Sequence, residues 1–196
     1  MRVTLKTGII FAFAWMLIKL SLFGMGMSSE KSFLPSLFLN MFFLILAITI
    51  GLYLQKRKDT EQGNALKDIK NGMTSGFPYA ILVSFFIYIY YSKIDPAFIQ
   101  GKIADREVFL DKTINDPKQL QKLRDSNPDY EVMTVKQIRK IEIKNGKSAV
   151  SAGNNATMTI LALLLYAMFN SIFITIILRK IVFKNSNQAH IIDQNN

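Results

Sequence analysis

The sequence predicts an all-α integral membrane protein with four transmembrane helices. Three observations lead there. Half of the 196 residues are apolar, yet they gather in a few long blocks instead of the short alternating stretches of a soluble domain. The blocks approach the 20 or so apolar residues needed to cross a hydrocarbon core roughly 30 Å thick. Basic residues collect at the block ends, which accounts for a formal net charge of +10 without calling on nucleic acid.

The first span is expected over 8–27, with one basic residue, Lys19, inside it. Arg2 and Lys6 precede it as in a signal peptide, but the apolar run is too long and lacks a small-x-small cleavage site, so a retained span is expected. The second span covers 33–54, and a turn around 28–31 joins the two as a hairpin. After it comes the basic cluster Lys56, Arg57 and Lys58.

The next stretch, 60–76, places Leu66, Ile69 and Met73 on one helical face, which predicts a short cytoplasmic amphipathic helix running into span three, 74–92. At that junction Gly72 and Gly76 form a G-x-x-x-G that permits close helix packing. With Pro78 following, a flexible hinge is an equal reading. Span three closes on Tyr88, Tyr90 and Tyr91, expected as interfacial anchors with wet hydroxyls.

Residues 93–156 are charged, with acids nearly balancing bases. Asp95-Pro96 and Asp116-Pro117 each read as a helix N-cap followed by proline at the first helical position. Thr134 and Gln137 form a capping box, with the helix expected to close at Asn145-Gly146 and a small-residue linker to follow. Two or three short helices are expected on or near the membrane surface. They hold too few apolar residues for an independent core, so they should be ordered only against the membrane or a partner. Asp105, Glu107 and Asp111 have the spacing of a solvated helix face. Span four is expected over 157–179, anchored by Arg179 and Lys180, with a tail at 180–196.

The positive-inside rule puts the N-terminus, the Lys56–Lys58 connection and the tail in the cytoplasm and 93–156 outside. Four spans return the chain to its starting side, so the two ends agree.

The run "IYYSKIDPAF", the later "MTVKQIRKIEIK" and a final span resemble the uncharacterised bacterial membrane proteins grouped as domain of unknown function 4199. Tyr90, Tyr91, Ile94, Asp95, Pro96, Phe98, Gln137 and Ile138 carry the resemblance. It implies the same four-span architecture over nearly the whole chain and an inner-membrane address in Gram-negative bacteria. It implies no catalytic residues.

No enzyme template fits. There is no cysteine, and the single histidine, His190, lies in the polar tail. No nucleophile set, metal cluster or phosphate-binding glycine loop is present, so no catalytic, metal or cofactor site is expected. The expected role is an accessory or structural subunit of a membrane protein assembly, with the bilayer and other membrane subunits as partners. The alternative is a small transporter or channel component. Its lead is Lys19, because a central uncompensated charge costs about 3 kcal/mol on insertion scales. Counting inward from the hairpin tip and the outer span ends puts Lys19, Asn40, Ser84 and Tyr166 in one polar layer, roughly 10–12 Å deep at 1.5 Å per residue. No span holds an acid, so no salt bridge is expected within the bundle.

Overall fold

The computed structural model describes residues 2–58 and 64–182, the last two by backbone only. His190 lies outside the described residues. Every regular element among these is helical. Four helices are long and apolar enough to cross a membrane. The chain divides into two compact units, one of residues up to Phe86 together with those from Met158 on, the other of Ile87–Thr157.

The first unit contains α1 (Val3–Gly24), α2 (Ser29–Lys58), most of α3 (Ala65–Ile89) and most of α7 (Ala152–Ile177). All four run beyond their expected bounds at one or both ends. Helix α1 stops because Gly26 takes φ +78°, a left-handed conformation that a Cβ would strain. The Gly26 amide bonds to the Phe23 carbonyl at 2.9 Å and the Met27 amide to that of Leu22 at 3.1 Å. This is the Schellman pattern, which satisfies the last carbonyls of the helix.

The expected amphipathic helix is not a separate element. Residues 65–73 are the first turns of α3, and their buried face is not the apolar one. Leu66 is 70% exposed, whereas Asp68, Asn71 and Ser75 are buried. The same inversion runs through the bundle. Phe13, Leu17, Phe38, Phe85 and Phe173 are exposed, while Thr4, Thr7, Ser36, Ser84 and Ser171 are buried. Lipid accepts apolar side chains, so a membrane bundle can reserve its interior for small and polar residues that let helices approach.

The second unit contains α4 (Pro96–Asn115), α5 (Pro117–Asp125) and α6 (Val135–Ala149). Their starts are as read from the sequence. Asp95 accepts from the Phe98 amide at 3.3 Å and Asp116 from the Lys118 amide at 2.9 Å. The Thr134–Gln137 capping box is complete.

Helix α6 does not end at Asn145-Gly146. It continues to Ala149, leaving only Val150 and Ser151 before α7. Gly146 is buried because Arg106 of α4 lies across it, its Nε 2.5 Å from where a Cβ would stand. Helices α4 and α6 also exchange charges. Arg139 grips Asp111 with two bonds of 2.7 and 3.1 Å, and Lys147 pairs with Glu107 at 3.2 Å. Glu107 and Asp111 therefore brace a helix pair instead of forming a purely solvated face. The Arg139 bonds hold the Asp111 carboxyl below its ordinary pKa. Leu110, Tyr130 and Ile138 are buried in the unit, and the Tyr130 hydroxyl donates to Glu142 at 2.7 Å, which raises its pKa.

Tyr90 and Tyr91 are buried, contrary to the expectation of wet interfacial hydroxyls. The reason is a π-helical turn over Tyr90–Ile94. It swings Tyr91 onto Phe98, with ring centroids 5.1 Å apart, and sets Tyr90 edge-on to Tyr91 at 5.2 Å. Tyr88, before this turn, is 48% exposed.

Candidate functional site

The first unit is built around α3, which uses two faces. One face meets α7. An added Cβ on Gly76 would stand 2.6 Å from the Ala167 Cβ, and one on Gly72 2.8 Å from the Ser171 Oγ. The G-x-x-x-G therefore meets a small-residue pair of the same spacing on α7, in antiparallel order. Gly72, Gly76 and Pro78 lie within continuous helix, so packing and not a hinge accounts for the glycines.

The other face meets α1 and α2. The Ser75 hydroxyl donates to the Thr4 carbonyl at 2.7 Å and lies 3.2 Å from the Thr7 hydroxyl. Gly8 of α1 touches the Ser75 carbonyl, and Gly51 of α2 touches the Ser75 hydroxyl, at distances where neither could carry a Cβ. These backbones approach because all the contacting residues are small.

The Gly72 stripe continues one turn toward the start of α3 to Asp68, whose carboxylate is buried. Lys56, near the end of α2, reaches Asp68 Oδ2 at 3.1 Å. Arg179, just after α7, donates from Nε to the same oxygen at 2.8 Å. Three helix ends are thus tied through one carboxylate. Salt bridges do occur in the bundle, against expectation, because α3 starts early enough to carry an acid into it. Lys56 and Arg179 are accordingly ion-pair partners as well as flanking charges. Of the other basic residues, Arg57 lies over the Tyr53 ring at 5.9 Å, and Lys58 and Lys180 are exposed.

A small pocket opens beside this carboxylate, lined by Leu52, Lys56, Asp68, Thr175, Leu178 and Arg179. The helix widens to a π turn over Leu178–Val182 as it reaches the pocket, a deviation often found at functional sites. Thr175 is 2% exposed, and its Oγ1 has no hydrogen-bond partner.

The four residues expected in one layer are placed at several levels. Lys19 is buried, 2% exposed, and is not without an interaction partner. Trp15, one turn before it, donates to the Ser36 carbonyl at 3.2 Å and packs against Phe86 at 5.9 Å. Lys19 is therefore level with Ser32, not with Asn40. Asn40 accepts from the Tyr79 hydroxyl at 2.6 Å, closer to the middle of α3. Ser84 is buried with its hydroxyl unpaired. Tyr166 adjoins Ala167, hence lies level with Gly76 and well below Ser84. The hairpin register differs from the symmetric count because α2 starts only five residues after α1 stops, which moves the true tip toward α1.

Sequence reading missed Asp68, Thr175 and Ser171. A signal was there. Asp68, Gly72 and Gly76 repeat every fourth position, as do Ala167, Ser171, Thr175 and Arg179. Read in antiparallel order, the two rows place Gly76 against Ala167, Gly72 against Ser171 and Asp68 against Thr175, with Arg179 one turn beyond and within side-chain reach of Asp68. Among the described residues, no group of three or more His, Asp or Glu side chains is placed to hold a metal ion.

These features define a membrane-spanning helical protein whose helices approach closely along stripes of small and polar residues. The chain belongs to the family described as Protein of unknown function (DUF4199), which it matches over residues 6–180. No curated protein and no solved structure matches it.

Proposed function

We propose that the protein is a non-enzymatic accessory or structural subunit of a membrane protein assembly, anchored by its four spans and engaging a partner through residues 87–157. One observation carries this reading. The segment is braced across α4 and α6, yet Phe109 is 67% exposed and Val132 90% exposed. Braced helices lose little freedom on docking, and exposed aromatic and aliphatic side chains are the usual anchors of an interface. The close approach of α1, α2, α3 and α7 supports an anchor, since packed backbones resist rocking. In this reading the Lys56–Lys58 end faces the cytoplasm, α4 to α6 lie in the periplasm, and the membrane is the inner membrane of a Gram-negative bacterium.

The alternative is a small transporter or channel component. The burial of Lys19 at 2% exposure favours it, because intramembrane charges commonly mark ion or solute paths.

One experiment tests both. The tagged chain is purified at native expression level in mild detergent, and co-purifying proteins are identified by mass spectrometry. A defined partner should be recovered with the wild type and with Lys19→Leu, and largely lost with Phe109→Ser combined with Val132→Ser. A chain that always elutes alone would sink the accessory reading. A solute flux in reconstituted vesicles that Lys19→Leu abolishes would select the alternative.

A further inference from the structure

Helix α4 uses one side against α6 and leaves another uncovered. Glu107 and Asp111 are paired with α6. Gly101, Asp105, Val108, Phe109 and Lys112 lie on a different stripe of the helix, and all five are exposed. Three features of this stripe go together. Val108 and Phe109, in its middle, are apolar and more than half exposed. Asp105 and Lys112 stand at equal distances on either side of that middle. They are roughly 10 Å apart along the helix at 1.5 Å per residue, too far to pair with each other, and neither has an ion-pair partner among the described residues. Gly101 sits inside a 20-residue helix, where glycine costs helix stability. Nothing within the chain needs the space it leaves, since no atom lies within 4 Å of its Cβ position.

We propose that this stripe is the contact between two copies of the chain, related by a twofold axis that passes between Val108 and Phe109. A twofold contact joins a patch to itself, so the patch has to be self-complementary. An axis at right angles to α4 sets the two helices antiparallel. Asp105 then faces Lys112 of the second copy, Lys112 faces Asp105 of the second copy, and the apolar residues meet between them. Acid meets base on both sides of an apolar centre, as anchor and rim do in an interface. Gly101 faces Asp116 of the second copy, where the chain turns from α4 into α5, and its missing side chain leaves room for that corner. A different protein would have to supply an acid and a base at this spacing, whereas this chain already carries both on the stripe itself. Chains inserted the same way into one bilayer share a twofold axis along the membrane normal. That axis is at right angles to a helix lying on the membrane surface, the placement expected for this segment from its sequence. The inference rests on the docking role proposed above for residues 87–157 and names the occupant of the α4 face.

The test is disulfide cross-linking of the full chain, which has no cysteine of its own, reconstituted in lipid vesicles. With Val108→Cys, mild oxidation should link most chains in pairs. With Gln100→Cys, exposed on the opposite side of α4, it should link few. In the Val108→Cys background, Asp105→Lys sets lysine against lysine at two places and Lys112→Asp sets acid against acid. Each should lower the linked yield about tenfold, and the two combined should restore it. Gly101→Leu should lower the yield as much while unfolding no earlier than its parent, because the new side chain enters open space and leucine favours a helix. No more linking through Val108→Cys than through Gln100→Cys would overturn the proposal. So would a double charge exchange that stays as low as the single ones, or a Gly101→Leu protein that links like its parent. Linking that persists while no other protein co-purifies supports the second copy and removes a different partner. A recovered partner without linking leaves the accessory reading standing and removes the second copy.

Discussion

Asp68 is the residue on which three helices converge. Its carboxylate is buried, while the side chains of Lys56 and Arg179 are 16% and 35% exposed. Removing one partner of a fully buried pair costs several kcal/mol, and an exposed pair is worth almost nothing. This site lies between those limits. Asp68→Asn should destabilise the protein by about 1–3 kcal/mol, because it leaves two neighbouring cations facing an amide. Thermal unfolding in detergent measures this. Lys58→Gln, at an exposed position, should unfold like the wild type. Equal stability of Asp68→Asn and wild type would mean that the ion pairs form without holding the helices.

Contacts between elements are governed by what the helices lack. Gly8, Gly51, Gly72 and Gly76 are each within 3 Å of a neighbouring atom at the place where a Cβ would be. The neighbour of Gly76 is the Ala167 Cβ, which cannot rotate away. Gly76→Val should therefore force α3 from α7 and destabilise the bundle by about 1–3 kcal/mol, as overpacking does elsewhere. Gly24→Ala is the control, since nothing lies within 4 Å of its Cβ position. Urea or heat unfolding of the two variants side by side gives the comparison, and a Gly76→Val protein as stable as Gly24→Ala would show that the helices are not held at this distance. In the second unit the same role falls to Gly146, whose missing side chain gives Arg106 its place.

At the scale of the whole molecule, flanking charge sets the expected orientation. The chain has no acid in the central part of any span, and the basic residues that flank the spans include Arg2 and Lys6, Lys56 to Lys58, and Arg179 with Lys180. Charge at short loops and helix ends sets orientation during insertion, whereas long segments cross with little regard to their own charge. Reporter fusions after Lys58, Asp116 and Lys180 should read cytoplasmic, external and cytoplasmic. With the N-terminus cytoplasmic, a cytoplasmic signal after Asp116 would require an even number of crossings before it and would overturn the four-span arrangement.

The sequence by itself determined the number of spans, the Asp95, Asp116 and Thr134 caps and the family. Each of these depends on one stretch of chain at a time: apolar length, a cap residue beside a proline, a short motif. Tertiary structure decided which residues meet. Hydropathy marks a lipid-facing helix without saying which face turns inward, because lipid and protein interior are both apolar surroundings. The reading therefore took Leu66, Ile69 and Met73 as the apolar face of a short amphipathic surface helix running into span three, while the fold buried Asp68, Gly72 and Ser75. It likewise set Lys19 level with Asn40 by counting from a symmetric tip. The level of a residue in a bundle depends on where each helix starts and how closely its neighbours approach, and close approach is possible only where small residues on two helices coincide.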